Sequence, residues 1–166
     1  MLHTGSLSAL FLAVLVAGSA HAQEADDFCH RMGRNQAVFE MMLQSATAEA
    51  LPKPGAMRCT WSFDQGLEVA LDSTVLRSET AARQTILMAR LPERNRGKTI
   101  EPLTGVGDDA LYRTTVENGV TRLLEFEAVK GRRHVLMTVR SRAAAGLTYI
   151  WLRASIAFLA GGLATL

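Results

Sequence analysis

Two adjacent carboxylates, Asp108 and Asp109, and the more distant His134 are the residue types that perform general acid–base chemistry. Paired carboxylates can share a cation or separate their pKa values, and an imidazole beside them can accept or donate a proton. Sequence neighbours in a turn or strand point in different directions, however, and a calcium loop needs oxygen ligands at further alternating positions. The chain also lacks the nucleophile motif G-x-S-x-G. We therefore predict no catalytic or metal-binding residues, and a small enzyme that uses Asp108 or Asp109 with His134 is the alternative.

The segment 105–110, with the sequence GVGDDA, fits the dinucleotide-binding pattern G-x-G-x-x-[GA]. That pattern binds a pyrophosphate where it opens a helix, whereas the LYRTTV sequence that follows has the composition of a β-strand. The segment is therefore predicted to be a tight turn, in which Gly105 and Gly107 supply positive φ angles and Asp108 and Asp109 bond to the backbone. These four residues form the candidate ligand loop, and no cofactor is predicted.

The composition of the chain bears on two further classes of ligand, copper ions and nucleic acids. Met41 and Met42 with His30 are residue types that suit Cu(I), but the methionines are scattered at apolar positions, which predicts core filling. The net charge of +2 over 166 residues is far from the concentrated basic excess of a nucleic-acid binder. We therefore predict neither a metal site nor a nucleic-acid partner.

The amino terminus has the features of a secretory signal peptide. Residues 7–18 form an unbroken run of apolar and small residues that is too short to span a bilayer. The AHA sequence that ends at Ala22 places small residues at the two positions read by signal peptidase, which predicts cleavage before Gln23. We therefore predict a cleaved signal peptide over residues 1–22, a single domain over residues 23–166, and a periplasmic or secreted protein.

The chain contains two cysteines, Cys29 and Cys59. Export places them where disulfides persist, so we predict that they pair. A redox or metal role is the rival interpretation, but there is no C-x-x-C motif, and two isolated thiols with distant histidines make a poor zinc site. Closing a loop of about thirty residues should stabilise the fold by roughly 3 to 4 kcal/mol.

Hydrophobic periodicity and turn residues divide the mature chain into helices and strands. Apolar positions from Phe28 to Ala46 recur at helical spacing, which predicts a first helix that begins near Asp26 and ends before Pro52. The order of the elements predicts an α+β domain whose mainly antiparallel sheet, a hairpin plus a three-stranded meander, packs with about three helices. The remaining predicted elements are a hairpin over 57–63 and 67–72, a helix over 79–90 with Ser78 as N-cap, a strand over 99–103, a meander over 110–116, 120–129 and 133–140, and a helix over 143–166.

Residues 147–166 are apolar enough to require comparison with a transmembrane helix. In an exported chain, the arginines between residues 132 and 142 would lie outside the membrane while no cationic residue follows Leu166, which inverts the positive-inside rule. A helix docked on the domain is therefore predicted, and an envelope protein anchored by helix 147–166 is the alternative. The predicted apolar stripe of this helix consists of Tyr149, Leu152, Ile156, Leu159 and Leu163.

Five features spread over most of the mature chain carry a resemblance. They are the early Cys29, the CTW sequence at 59–61, the GVGDDA sequence at 105–110 before a strand, the Lys130-Gly131 hairpin and the terminal helix. In order and spacing they resemble a loose group of small exported bacterial proteins, which includes actinobacterial envelope lipoproteins and extracellular sensor-type domains with the pattern Cys…C-x-W…G-x-G-D-[DE]-A. The resemblance implies an α+β sandwich-like fold with a disulfide, and it implies no activity and no functional residues. The lipoprotein members differ in carrying a lipid-attachment cysteine.

Export, one disulfide and an antiparallel sheet without a catalytic constellation favour a non-enzymatic binding or sensor-like module. Its predicted partner is a protein or a small-molecule ligand in the cell envelope, and membrane association is not favoured. An exposed sheet face or an apolar groove in the structure would support binding. An open convergence of Asp108, Asp109 and His134 would support the enzyme.

Overall fold

The structure is a computed structural model that describes residues 27–29, 31–32, 46–51, 55–63 and 66–165. Over these residues the strands are β1 (Ala46–Ala50), β2 (Ala56–Phe63), β3 (Leu67–Val75), β4 (Thr99–Leu103), β5 (Asp109–Glu117), β6 (Val120–Lys130) and β7 (Arg133–Ser141). The helices are α1, described at residues 27–29 and 31–32, α2 (Glu79–Ala89) and α3 (Tyr149–Ala164), with a 3-10 turn at Pro92–Arg94. All the described strands belong to one sheet of order β1-β2-β3-β7-β6-β5-β4.

Every strand pair in this sheet is antiparallel, which confirms the predicted α+β class. The meander β5-β6-β7 follows from its turns. Asn118 and Gly119 join β5 to β6 with φ angles of 52° and 78°, the conformation that a two-residue hairpin turn requires. Lys130 and Arg133 close the β6–β7 hairpin around Gly131, as predicted.

One face of the sheet carries the main core. Alternate residues of β2, β3, β5, β6 and β7 point into it, and α1 and α3 cover it. Trp61 of β2 meets Phe158 of α3 edge to face with ring centroids 5.6 Å apart. A Cβ at Gly162 would lie 2.3 Å from Cε of Met32, so a glycine lets α3 approach α1 closely. The buried α3 residues are Ala154, Ser155, Phe158, Leu159, Gly162 and Leu163.

The predicted disulfide joins Cys29 in α1 to Cys59 in β2, with Cα atoms 5.6 Å apart. Both residues are buried within the main core. The bond spans 30 residues of sequence, and it ties α1 to the strand that contains Trp61. The prediction of a pairing is therefore confirmed, and neither thiol is available for metal or redox chemistry.

Helix α2 packs on the opposite face of the sheet. Its N-cap is Ser78, as predicted, whose Oγ accepts a hydrogen bond from the backbone N–H of Ala81 at 3.1 Å. The side chains of Ala82, Ile86 and Ala89 are buried, and with Leu111 of β5 and Val129 of β6 they form a second, smaller cluster. Helix α2 thus covers β5, β6 and β7 on this face.

The predicted extent of the first helix is wrong at its end, because Ala46–Ala50 form β1. These residues pair in antiparallel register with β2, from Ala46 opposite Trp61 to Ala50 opposite Met57. The helix propensity of alanine is a weak preference. The backbone hydrogen bonds that the edge of the sheet offers outweigh it here. The signal peptide, His30, and Met41 with Met42 lie outside the described residues.

The last helix also begins later than predicted, at Tyr149 rather than Ala143. Gly146 has a φ of 68°, and the backbone N–H of Leu147 donates to the carbonyl of Thr121 at 2.8 Å, so this stretch is bound to β6 before the helix starts. Tyr149 is 68% exposed and lies outside the buried stripe, whereas the other predicted stripe residues pack on the core. No helix among the described residues is long and apolar enough to cross a membrane.

Candidate ligand-binding site

The GVGDDA segment is folded back on β6. Gly105 and Gly107 have φ angles of 76° and 60°, as predicted, and a Cβ at Gly107 would lie 2.3 Å from the carbonyl oxygen of Val129. The backbone N–H of Asp108 donates to that same oxygen at 2.7 Å. The Asp108 carboxylate accepts the backbone N–H of Gly131 at 2.6 Å, so it holds the β6–β7 turn. The segment leads into β5 and not into a helix, which removes the structural context that nucleotide binding needs.

The prediction that Asp109 bonds to the backbone is wrong, because its carboxylate pairs with an arginine side chain. Arg90, at the end of α2, donates one hydrogen bond to each of its carboxylate oxygens. The two side chains are 37% and 36% exposed, which is typical of a surface ion pair. Asp108 and Asp109 therefore serve separate contacts, as expected of sequence neighbours at the start of a strand.

His134 bonds to Glu127 and not to either aspartate. Its Nε2 lies 2.9 Å from Oε1 of Glu127, while Oε2 of the same carboxylate accepts a hydrogen bond from Arg113 at 2.7 Å. Arg113 also donates to Oδ1 of Asn95 at 2.6 Å and to the carbonyl of Ala89 at 2.9 Å. The last of these contacts places a guanidinium at the carboxyl end of α2, where a positive charge is favourable. His134 of β7 therefore pairs across the hairpin with Glu127 of β6.

Electrostatics within this network favour an ionised Glu127. Burial raises the pKa of Glu127, but the hydrogen bonds from His134 and Arg113 lower it further, so its pKa lies below the ordinary value. Each polar group in the network has a partner, and the network connects α2 with β5, β6 and β7. Among the described residues, no group of three or more His, Cys, Asp or Glu could hold a metal. The network is therefore a structural element of the fold.

Replacing Asp108 or Asp109 by asparagine is expected to lower the free energy of unfolding by about 0.5 to 1 kcal/mol each, because both pairs are partly exposed. Urea unfolding of D108N and D109N measures this loss. Glu93→Gln, at an exposed position in the 3-10 turn, is the matched control and should change nothing. Ligand binding should be unaffected by both variants. Binding lost at an unchanged melting temperature would instead make the segment a ligand loop.

The sheet face that carries α2 is covered only in part. Beyond the helix, on β2, β3, β6 and β7, several side chains keep intermediate exposure, and a hydrogen-bonded pair of opposite charge crosses from β2 to β3. The pair is Arg58 with Asp72, and the partly exposed neighbours are Thr60, Ala70, Leu136 and Thr138. This part of the sheet face is therefore half-buried.

A cleft of about 490 Å³ opens where this face meets the β5–β6 hairpin and the end of β7. Three of its lining residues form one row across the sheet, because Thr115 of β5 is opposite Leu123 of β6, and Leu123 is opposite Arg140 of β7. We call this site the basic cleft. Its lining residues are Thr115, Glu117, Arg122, Leu123, Arg140, Ser141 and Arg142.

A β-bulge shapes the cleft. The pairing of β5 with β6 shifts between Thr115 and Val116, so that Arg122 becomes an extra residue of β6 between Thr121 and Leu123. Bulges re-aim side chains and recur beside functional sites. Here the bulge brings Arg122 and its neighbour Leu123 to the same cleft.

The cleft presents hydrogen-bond donors and positive charge. Arg140 and Arg142 are exposed, and among the described residues no carboxylate forms an ion pair with either. Arg122 donates through Nη1 to the backbone carbonyl of Ala143. Thr115 contributes a buried Oγ1 that has no hydrogen-bond partner in the described chain. An unpaired buried hydroxyl is unusual, because its desolvation is not compensated.

Sequence reasoning did not single out the residues of the basic cleft. In the sequence, Arg140 and Arg142 bear only on membrane insertion, and their position beside Arg122 in the cleft depends on the hairpin register and the bulge. No family model, curated protein or solved structure matches the chain. The resemblance to small exported envelope proteins stays a prediction, and the functional proposal rests on the geometry of the cleft.

Proposed function

We propose that the chain is a non-enzymatic binding module that holds a small ligand in the basic cleft. The observation that carries this proposal is the cleft of about 490 Å³ on the partly open sheet face, a volume within the range of about 300 to 1,000 Å³ that is usual for small-molecule sites. Rigid strands position its lining residues, and a bulge adds an extra arginine to them.

The chemistry of the lining supports binding better than catalysis. The described donors are guanidinium and hydroxyl groups, and Glu117 is the one carboxylate among the lining residues. The groups that a small enzyme would use lie elsewhere and serve the fold, since Asp109 bonds to Arg90 and His134 to Glu127. A ligand in the cleft would meet several hydrogen-bond donors and a single carboxylate, that of Glu117.

The location proposed for this function is the periplasm or the extracellular space. The disulfide between Cys29 and Cys59 is consistent with an oxidising compartment. We propose that residues 1–22 act as a signal peptide, that cleavage follows Ala22, and that the ligand or partner belongs to the cell envelope.

Amide chemical-shift mapping of the exported protein with a set of anionic, neutral and cationic fragments tests the proposal. We expect shifts that cluster at Thr115, Leu123 and Arg140. Leu123→Trp, which fills the cleft, should abolish them, whereas Leu87→Trp on the exposed side of α2, where Leu87 is 58% exposed, should not. Shifts at the GVGDDA segment alone, or no shifts with any fragment, would contradict a binding role for the cleft.

A further inference from the structure

We propose that the basic cleft recognises the phosphoryl group of a small phosphorylated molecule, an inference that rests on the binding function proposed above. The charges of the lining are the first support. The lining of the cleft contains three arginines and one carboxylate, so its net charge is +2. These residues are Arg122, Arg140, Arg142 and Glu117. A phosphate monoester carries a charge close to −2 at neutral pH, because its second pKa is about 6.

The neighbouring strands add one negative charge that is not paired with a lysine or arginine, so the excess is reduced and not cancelled. Glu68 of β3 is directly opposite Arg140 of β7 and is exposed, yet the two form no ion pair. Lys98 and Glu125 are already paired with each other. Arg140 is therefore available to an incoming anion.

The geometry of the donors is the second support. Arg122 is held by its bond to the Ala143 carbonyl, and the backbone N–H of Arg142 donates to the carbonyl of Gly66 at 3.0 Å. The guanidinium of Arg122 is thus anchored before a ligand arrives, which reduces the ordering cost of binding, whereas the bond of Arg142 fixes only its backbone. A planar guanidinium group can donate two parallel hydrogen bonds to phosphate oxygens. The three guanidinium groups of the cleft have more donors than the carboxylate of Glu117 can accept, so donors remain for a ligand.

The size of the cleft indicates what the phosphoryl group is attached to. At about 490 Å³ the space exceeds the needs of one inorganic ion and is typical of sites for whole small molecules. Leu123 supplies an apolar surface for an organic moiety, between Thr115 and Arg140 in the same row. We therefore expect an organic phosphate to bind more tightly than inorganic phosphate.

Isothermal titration of the exported protein at pH 7.5 and constant ionic strength, with phenyl phosphate, inorganic phosphate, phenyl sulfate and succinate as probes, tests this inference. Phenyl phosphate should bind most tightly, and its affinity should fall as the pH drops below about 6, where the dianion protonates. Arg140→Gln should weaken binding by about tenfold or more, because a charge-assisted hydrogen bond is lost. Arg96→Gln, an exposed arginine in the loop before β4, is the matched control and should leave binding unchanged.

Tighter binding of succinate or phenyl sulfate than of phenyl phosphate would overturn the phosphoryl assignment and leave the binding function standing. If R140Q and R96Q lose the same affinity for phenyl phosphate, binding is due to general charge attraction, and the phosphoryl assignment is again overturned. If none of these anions binds while neutral fragments still shift the cleft amides, the inference fails and the proposed function survives. If no anion and no fragment binds, both the phosphoryl assignment and the proposed binding function are wrong.

Discussion

Removing the bond between Cys29 and Cys59 is expected to lower the free energy of unfolding by about 3 to 4 kcal/mol. The closed loop spans 30 residues, and opening it returns conformational entropy to the unfolded chain. Because both cysteines lie in the main core beside Trp61, the C29A/C59A variant also loses buried contacts there. Urea unfolding of C29A/C59A against the oxidised wild type measures the change.

The reduced wild type provides the matched control for this prediction. It keeps both side chains and loses only the covalent link, so it should show most of the loss that C29A/C59A shows. Thiol titration of denatured, unreduced protein should detect no free cysteine. Two reactive thiols per chain in that material, or a double variant as stable as the oxidised wild type, would contradict a stabilising disulfide.

The β5-β6-β7 meander shows how far local sequence determines this fold. Its turns are encoded by residues that tolerate positive φ, such as Asn118 and Gly119. Ser78 likewise marks the start of α2 by a bond to a backbone N–H three residues later. Each of these features is local, so the sequence alone was sufficient to predict it.

Elements that depend on distant partners were predicted less well. The strand Ala46–Ala50 is rich in alanine, and only its pairing with β2 makes it extended. Similarly, Gly146 delays the start of α3 because its backbone lies against β6 near Val120 and Thr121. In both cases the decisive contact comes from another part of the chain, and local propensity could not reveal it.

The basic cleft was not predicted for the same reason. Its arginines come from β6 and from the end of β7, and a one-residue difference in register would turn a side chain to the other face. The bulge that brings Arg122 to the cleft leaves no mark in composition or periodicity. Asp108 and Asp109 drew attention because they are adjacent in sequence, whereas the residues of the cleft become neighbours only in the folded sheet.

Replacing Glu127 by glutamine is expected to destabilise the fold by about 3 kcal/mol at neutral pH. The side chains of Arg113 and Glu127 are only 7% and 9% exposed, so the variant leaves the Arg113 guanidinium buried without its counter-charge. Asn95 and the Ala89 carbonyl continue to accept hydrogen bonds from Arg113, which keeps the loss below that of a wholly unpaired charge. Urea unfolding of E127Q at pH 7 measures the effect.

The pH dependence of this loss separates the charge of Glu127 from its shape. Since the folded pKa of Glu127 is lowered, its contribution is present above the unfolded pKa of about 4.3 and is lost as the pH falls through the folded value. The difference in stability between wild type and E127Q should therefore shrink below about pH 4. Glu68→Gln, an exposed carboxylate on the same sheet face, is the control and should differ little from wild type at either pH. A difference that persists unchanged at low pH would assign the effect to side-chain shape, and equal stability of E127Q and wild type at pH 7 would show that the buried pair does not stabilise the fold.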